Sequence, residues 1–286
     1  MILSSAFIIH RSSFIARRPI RPLMTFKQRK RLGLALAGGV MRGRAHVGVI
    51  QVLEEAGIEV NFLSGVSAGA IVGATYAMGL DAARLAEMAS LFSWPRIARP
   101  SVLNPFRKGL ARLGLLDFQN LEMLLIESIG DVTFAELARP FAVGATDLIT
   151  GERIVITSGR VAHAVRASSS VPGVVVPARW RGRILCDGFA SNNVPIQILR
   201  DMGADVVLAV NLMPMARRMP SNLFWAGSTA ISALVLQAGD PLDLADILIE
   251  PDLAEVDYLF PNMKDVLARG RAATEAIIPQ LKALLA

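Results

Sequence analysis

The stretch IEVNFLSGVSAGAIVGATYAMG, residues 58–79, decides how this chain is expected to fold. It begins as an apolar run with strand character and continues, directly after Ser67, as an Ala- and Gly-rich segment with helical spacing. Between the two lies Gly65-Val66-Ser67-Ala68-Gly69, which has the form G-x-S-x-G of a nucleophile elbow. The stretch therefore predicts a strand, a sharp turn that exposes a serine, and a helix.

Gly65 and Gly69 fit the geometry of such a turn. A sharp strand-to-helix turn crowds the side chains two positions before and after the serine and forces strained dihedral angles, which glycine tolerates best. The Ser67 hydroxyl then lies at a helix N-terminus, where partial positive charge stabilises a developing oxyanion. Because a bare G-x-S-x-G also occurs as an ordinary tight turn, a catalytic role for Ser67 depends on two further stretches.

The first of these stretches lies just upstream. The apolar run LGLALA at 32–37 is typical of a fully buried parallel strand, and it leads into GGVMRG at 38–43 and a helical pattern at 45–56. The order strand, glycine loop, helix, strand, elbow, helix predicts a doubly wound α/β domain. The loop matches neither the Walker nor the dinucleotide-binding glycine pattern. Its backbone N–H groups at a helix N-terminus fit an anion, including a tetrahedral oxyanion.

Composition narrows the kind of protein further. The chain has 286 residues, 53% of them hydrophobic, which is enough for one large domain with a substantial core. Its single cysteine, Cys186, excludes an intramolecular disulfide framework, and its three histidines show no H-x-x-x-H spacing. These counts argue against a zinc site, and a serine nucleophile with an oxyanion-binding loop requires neither a metal nor an organic cofactor.

The net charge of +6 is concentrated at the N-terminus. Residues 1–31 contain eight of the 30 Lys and Arg residues and no Asp or Glu, which leaves 22 basic and 24 acidic residues in the remainder. The body of the chain is thus close to neutral, and we expect no nucleic-acid partner. We divide the chain into a basic extension at 1–31 and one α/β domain at 32–286.

The basic extension allows three interpretations. Its apolar patch is too short to span a bilayer, and the segment lacks the basic start and the small-residue cleavage site of a secretory signal. We favour a disordered extension, for which Met24 is a candidate alternative start. A cationic anchor at a membrane surface and an Arg/Ser-rich transit peptide remain open.

A basic segment at 93–116 lies within a stretch, 81–130, that we expect to be mostly helical. It contains five basic residues and no acidic one, interleaved with Trp94, Phe106 and aliphatic side chains. Such a pattern is typical of a solvated helical face. The alternative is a cap that contacts anionic lipid through its basic and aromatic side chains.

The second stretch that bears on catalysis lies at 183–188. It follows a predicted hairpin at 141–158 and a helical run in which we expect His163 to be packed rather than catalytic. A strand at 183–186 ends in Asp187-Gly188, and α/β sheets place functional groups at the carboxyl ends of strands. With a serine elbow and an anion loop already present, Asp187 is the leading candidate for general base.

These motifs, in this order, resemble those of one family. The glycine loop, G-x-S-x-G and D-G, with RASSSVPG at 166–173 and NNVP at 192–195, resemble the patatin-like phospholipases, particularly their compact bacterial branch. The resemblance runs from about Leu32 to the C-terminus. It implies a three-layer α/β/α fold with a mainly parallel central sheet, and a Ser–Asp dyad in place of a Ser–His–Asp triad.

The resemblance also implies a role for each site residue. Ser67 would be the nucleophile and Asp187 the base, while Arg42 would orient the glycine loop. The oxyanion hole would be formed by backbone N–H groups of Gly38, Gly39 and Val40. The remaining motif glycines are Gly43, Gly65, Gly69 and Gly188.

Two positions depart from the family pattern. Val40 stands where the family loop usually has glycine, and Phe189 stands where the family usually has glycine or alanine after D-G. Because valine does not adopt a positive φ cheaply, we expect ordinary dihedral angles at Val40. Since valine keeps its N–H group, we expect activity to survive, and we expect Phe189 to narrow the acyl pocket.

Together these features predict a phospholipase A-type lipid acyl hydrolase that cleaves fatty acyl esters through an acyl-enzyme. We expect a lipid or phospholipid substrate, a cytoplasmic location and peripheral membrane contact. One alternative is a catalytically inactive, membrane-associated lipid-binding or regulatory module, which the changes at Val40 and Phe189 favour. Another is a triad esterase that uses His46 or His163.

Overall fold

The computed structural model describes residues 29–101, 108–213, 233, 235 and 239–286. The basic extension lies outside the described residues except for 29–31, so its predicted disorder stays a prediction. The strands are β1 (Leu32–Leu36), β2 (Phe62–Gly65), β3 (Arg99–Pro100), β4 (Leu116–Asp117), β5 (Phe141–Asp147), β6 (Arg153–Ile156), β7 (Ala178–Trp180), β8 (Arg183–Asp187), β9 (Val206–Val210) and β10 (Ile247–Ile249). The helices are α1 (Arg44–Glu55), α2 (Ala68–Ala77), α3 (Ala82–Leu91), α4 (Trp94–Ile97), α5 (Gln119–Ile129), α6 (Val161–Ser168), α7 (Ile196–Asp201), α8 (Met263–Glu275) and α9 (Ile278–Leu285).

One mixed sheet organises the described part of the chain. Its strand order is β10-β9-β1-β2-β5-β8-β7, and β6 also pairs with β5. Pairing from β10 to β5 is parallel throughout, whereas β6 and β8 run antiparallel to β5. This confirms the predicted α/β class with a mainly parallel centre, and β5 and β6 form the predicted hairpin.

Helices cover both faces of the sheet because the side chains of a strand alternate between its faces. In β1, Leu32, Leu34 and Leu36 join the larger hydrophobic core, whereas Ala35 joins a second core. Helices α1, α2 and α8 lie on the first side, and α7 packs on the second. None of the described helices is long and apolar enough to cross a membrane.

The basic segment at 93–116 is less helical than predicted. Helices α3 and α5 flank it as expected, but its described part consists of the short helix α4, the two-stranded β3–β4 pair and a 3-10 turn at Gly109–Leu113. Pro95 lies in the first turn of α4, and Pro100 belongs to β3. Because proline cannot donate within a helix, these positions favour short elements. Phe106 lies outside the described residues.

Strand β5 brings the carboxyl ends of β2 and β8 together. Strand β2 pairs with residues 141–143 of β5, β8 with 145–147, and β6 with 143–146. A strand has two edges, and the range paired with β6 overlaps the ranges paired with β2 and with β8. Strand β6 therefore occupies one edge of β5, and β2 and β8 lie one after the other along the opposite edge. One is parallel to β5 and the other antiparallel, so their carboxyl ends face each other near Gly144. Asp187 therefore reaches this point at the end of an antiparallel strand, not of a parallel one.

Candidate active site

The chain makes the predicted strand-to-helix turn at Ser67. This residue lies between β2 and α2 with φ 52° and ψ −119°, a backbone conformation that a residue with a Cβ adopts only at a cost in free energy. A Cβ added at Gly69 would lie 2.1 Å from the carbonyl oxygen of Leu36, and one at Gly65 would lie 2.6 Å from that of Gly69. The two glycines are thus required by close backbone contact.

Ser168 holds the turn in place. The Ser67 N–H donates to Ser168 Oγ (2.8 Å), and this hydroxyl donates to the carbonyl oxygen of Gly144 (2.6 Å). Ser168 is fully buried at the end of α6. Sequence reasoning assigned it no individual role, although it belongs to the RASSSVPG motif. The contact joins residues 101 positions apart, so only the fold reveals it.

Asp187 is the partner that the structure brings to Ser67. Its carboxylate is 1% exposed and accepts a hydrogen bond from the Phe189 N–H (2.9 Å). The Ser67 side chain lies close enough to lower the pKa of this carboxyl, against the larger effect of burial. Its own N–H donates to the carbonyl oxygen of Ser170 (2.9 Å), which fixes the backbone at this position. Burial raises the pKa of the Asp187 carboxyl to about 7. A carboxylate with that pKa is suited to accept a proton at neutral pH.

The glycine loop lies against Ser67, and it offers fewer N–H groups than the resemblance implied. A Cβ added at Gly38 would lie 3.2 Å from Ser67 Cβ. The Gly38 N–H is occupied, because it donates to Asn193 Oδ1 at 3.1 Å. Within the described residues, no hydrogen bond uses the N–H of Gly39, Val40 or Ala68. These three groups are the available donors for an oxyanion, and Ala68 is one that sequence reasoning missed.

The expectation of ordinary dihedral angles at Val40 is wrong, since this residue has φ 52°. The chain must turn sharply from β1 into a 3-10 helix at Val40–Gly43. The turn is held on its far side by the Met41 N–H, which donates to the carbonyl oxygen of Tyr258 (3.2 Å). A β-branched residue in this region is a genuine outlier, so the contacts around the loop must offset the strain.

Arg42 ties the glycine loop to the C-terminal part of the chain. Its guanidinium is buried, donates to the carbonyl oxygens of Val256 and Leu212, and lies 3.4 Å from the ring centroid of Tyr258. Burial lowers the pKa of Arg42. These contacts support the predicted role of Arg42 in orienting the loop.

The other motif glycines permit close approach around the same point. A Cβ at Gly43 would lie 2.7 Å from Ala68 Cβ, and one at Gly188 would lie 2.4 Å from the carbonyl oxygen of Gly144. Both distances are shorter than carbon atoms tolerate without a shift of the backbone. The glycine loop, the elbow and the turn after β8 therefore pack together through residues that lack side chains.

Neither described histidine takes part in this arrangement. His46 is fully buried with Nε2 2.8 Å from the carbonyl oxygen of Ala37, and burial lowers its pKa to about 4. His163 uses both ring nitrogens elsewhere, Nδ1 with Glu122 (3.1 Å) and Nε2 with the carbonyl oxygen of Arg179 (2.9 Å). The described residues therefore provide no geometric support for a triad esterase. Cys186 is buried, and burial raises the pKa of its thiol to about 12.

Known proteins of similar sequence belong to one family. The model of the Patatin-like phospholipase family matches residues 34–200, which is more than half of the chain. Two uncharacterized NTE family proteins of Mycobacterium tuberculosis (H37Rv) are similar. One is 33% identical over 183 residues, covering 64% of this chain and 49% of that protein. The other is 31% identical over 278 residues, covering 86% and 46%. The chain thus spans about half the length of these relatives.

A fungal relative and two solved structures extend the comparison. Lysophospholipase nte1 of Aspergillus fumigatus is 32% identical over 183 residues, covering 63% of this chain and 12% of that protein. The fold is similar to VipD from Legionella pneumophila (TM-score 0.59, 16% identity, 88% of this chain and 67% of that one). It is also similar to ExoU from Pseudomonas aeruginosa (TM-score 0.50, 16% identity, 90% and 53%). The chain belongs to the patatin-like phospholipase family.

Proposed function

We propose that this protein is a phospholipase A-type lipid acyl hydrolase with Ser67 as nucleophile and Asp187 as general base. The observation that carries the proposal is that the fold brings the strained turn at Ser67 beside a buried carboxylate, that of Asp187, whose pKa burial raises to about 7. Membership of the patatin-like phospholipase family supports a lipid ester as the substrate. The similarity to a protein named lysophospholipase nte1 agrees with that substrate class.

The first half-reaction forms an acyl-enzyme. Ser67 Oγ attacks the ester carbonyl carbon while Asp187 accepts the hydroxyl proton. The carbonyl oxygen becomes an oxyanion that the N–H groups of Gly39, Val40 and Ala68 bind. The carbon–oxygen bond to the alcohol then breaks, and protonated Asp187 returns the proton to the leaving alkoxide. In the second half-reaction Asp187 accepts a proton from water, the hydroxide attacks the acyl carbon, and the bond to Ser67 Oγ breaks. The fatty acid is released, and Asp187 returns the proton to Ser67 Oγ.

Labelling with a fluorophosphonate probe tests the dyad, since the probe reacts with activated serines. We expect the wild-type protein to be labelled, Ser67→Ala not to be labelled, and Asp187→Asn to be labelled at least about tenfold more slowly. His163→Ala is the control and should be labelled like the wild type. Absence of labelling in folded wild-type protein would contradict the proposal and favour the inactive lipid-binding module.

We also propose that the protein contacts lipid aggregates through an apolar rim formed by Leu113, Leu115 and Val174. All three side chains are exposed, Leu115 to 56%, and the Leu115 N–H donates to the carbonyl oxygen of Val174 (2.8 Å), which joins the two segments. The basic segment at 93–116 contributes the exposed Lys108 and contains no acidic residue. Apolar side chains beside positive charge suit an anionic membrane surface. The cytoplasmic location stays a prediction.

Sedimentation with phosphatidylglycerol-containing vesicles tests the apolar rim. We expect Leu115→Asp to weaken vesicle binding about tenfold. The change removes a leucine side chain that would be buried in the lipid, and it adds a negative charge that the anionic surface repels. The control is Ile149→Asp, which changes an even more exposed apolar residue (75%) at the β5–β6 turn, outside the rim. Equal loss of binding in both variants would contradict a specific role for the rim.

A further inference from the structure

The side chain of Asn193 lies against the glycine loop with half of its hydrogen-bonding capacity unused. Its Oδ1 accepts the Gly38 N–H at 3.1 Å, and the side chain is 3% exposed. Its Nδ2 is buried and has no hydrogen-bond partner among the described residues. Because a backbone N–H only donates, the amide oxygen must face Gly38, so the orientation of this amide is determined by its partner.

This contact lies next to the nucleophile. A Cβ built on Gly38 would lie 2.7 Å from Asn193 Oδ1 and 3.2 Å from Ser67 Cβ. Both groups therefore pack against the same glycine. Gly38 is followed immediately by Gly39 and Val40, whose N–H groups we assign to the oxyanion. A rotation of the Gly38 peptide would change the direction of both donors.

Stability alone does not account for this side chain. A buried amide that leaves a donor unpaired destabilises a fold relative to one that is fully paired. The hydrogen bond to Gly38 is the one interaction of the Asn193 side chain recorded within the described residues. The position of this amide is thus explained by its hydrogen bond to the Gly38 N–H, which fixes the backbone of the glycine loop.

The loop needs such an anchor because of Val40. This residue has φ 52°, which a β-branched side chain disfavours, so a free loop would relax by rotating the peptides on either side of it. One anchor lies after Val40, where Met41 donates to Tyr258. Asn193 supplies the other, before it.

We propose that Asn193 is a positioning residue of the oxyanion hole. By accepting the Gly38 N–H, it holds the strained loop in the conformation that directs the N–H groups of Gly39 and Val40 at the oxyanion. The expected effect on catalysis rests on the proposed function. The expected effect on the loop conformation rests only on the hydrogen bond between Gly38 and Asn193.

The neighbouring Asn192 provides a matched control. It belongs to the same loop, and its Oδ1 also accepts a backbone N–H at 3.1 Å, but from Asp240. It is similarly buried, 9% exposed against 3% for Asn193. Replacing either asparagine by alanine removes a side-chain amide and one hydrogen bond from a backbone N–H. Only Asn193→Ala removes a hydrogen bond of the glycine loop.

The test combines hydrogen exchange of the Gly38 amide, in protein labelled with ¹⁵N-glycine, with steady-state hydrolysis of a p-nitrophenyl ester. We expect Asn193→Ala to speed Gly38 exchange at least about tenfold. We also expect it to lower kcat by about 10- to 100-fold, with KM within about twofold and the pH midpoint unchanged. Asn193→Asp keeps an acceptor oxygen and should restore slow Gly38 exchange. Asn192→Ala should leave Gly38 exchange and kcat near wild-type values.

Two results would overturn the inference. One is Gly38 exchange that stays slow in Asn193→Ala, and the other is an equal loss of kcat in Asn192→Ala. Should Asn193→Ala fail to fold, Asn193→Ser takes its place, because it shortens the side chain but stays polar. Wild-type protein that hydrolyses no ester would refute the proposed function, and the exchange rates would still decide whether Asn193 anchors the loop.

Discussion

At the scale of single residues, burial and backbone strain set the chemistry of the site. Asp187 is a better base than an exposed aspartate because burial raises its pKa from 3.8 to about 7. Ser67 and Val40 both have φ 52°, so the proposed nucleophile and one proposed oxyanion donor lie in strained turns. In each case the surrounding contacts stabilise a state that the isolated residue disfavours.

The pH dependence of hydrolysis follows from the Asp187 pKa. The base must be ionised to accept the Ser67 proton, so kcat/KM for a neutral ester should rise with pH through a midpoint near 7. Below that midpoint it should fall about tenfold per pH unit. The measurement is a pH–rate profile between pH 5 and pH 9. A profile already flat at pH 5 would show that Asp187 titrates like an exposed aspartate.

Val40→Gly should relieve strain without removing the oxyanion donor. Glycine adopts a positive φ freely, which gains about 1–2 kcal/mol, while its greater freedom in the unfolded chain costs about 0.5–1 kcal/mol. We therefore expect unfolding free energy to stay equal or rise slightly, and kcat to stay within about threefold. Urea denaturation measures the first quantity and ester hydrolysis the second.

The control for Val40→Gly is Val155→Gly. Val155 is exposed on β6, and it is not among the residues with a positive φ. At Val155 there is no strain to relieve, so Val155→Gly should destabilise the protein by roughly 1 kcal/mol. This is the free energy lost because glycine has more conformational freedom in the unfolded chain. If Val40→Gly were as destabilising as Val155→Gly, backbone strain at Val40 would not contribute to stability.

At the scale of elements, the end of α6 supports both residues of the proposed dyad. Ser168 Oγ bridges the Ser67 N–H and the Gly144 carbonyl oxygen, and the carbonyl oxygen of Ser170 accepts the Asp187 N–H. Between them, Ser169 Oγ is buried without a partner among the described residues. Ser168 and Ser169 are thus both buried, but the Ser168 hydroxyl makes two hydrogen bonds and the Ser169 hydroxyl makes none among the described residues.

Replacing each of these serines by alanine should have different effects. Ser168→Ala leaves two buried backbone groups unpaired, so we expect a loss of about 1–3 kcal/mol in unfolding free energy and a lower kcat. Ser169→Ala removes an unpaired hydroxyl and should be neutral or slightly stabilising. Thermal denaturation and ester hydrolysis of both variants test the pair. Equal destabilisation would mean that the hydroxyl bridge of Ser168 does not support the elbow.

At the scale of the whole molecule, helix α8 in the C-terminal part of the chain supports the glycine loop through α1. A Cβ at Gly270 would lie 2.2 Å from the carbonyl oxygen of Ala45, and one at Gly48 would lie 2.2 Å from that of Leu267. The two helices are therefore in backbone contact. Since α1 directly follows the glycine loop, the position of α8 sets the position of that loop.

Gly270→Ala should disturb this contact at a distance from the chemistry. The added methyl group has no room, so we expect a loss of about 1–3 kcal/mol in stability, together with a reduced kcat as α1 shifts. Ala272→Leu, at an exposed position of α8, is the control and should leave both quantities nearly unchanged. Unchanged melting temperature in Gly270→Ala would show that the two helices separate without cost.

The sequence by itself predicted most of the elements around the site and singled out the two residues that we propose as nucleophile and base. Apolar runs, helical spacing and glycines are local patterns, and they predicted β1, α1, β2, the turn at Ser67, α2, the β5–β6 hairpin and the acid at the end of β8. Local patterns suffice there because strand and helix preferences, and the need for glycine at a tight turn, act between residues close in the chain.

Only the tertiary structure decided how these elements meet. It showed that β8 is antiparallel to β5 and that the carboxyl ends of β8 and β2 face each other on that strand. It also showed that the Gly38 N–H donates to Asn193, 155 residues away, and that the Ser67 N–H donates to Ser168. It also showed the positive φ of Val40, against the local preference of valine. Such features arise from packing and hydrogen bonds between distant segments. These interactions outweigh local preference at a few positions, and no local pattern in the sequence identifies the partners.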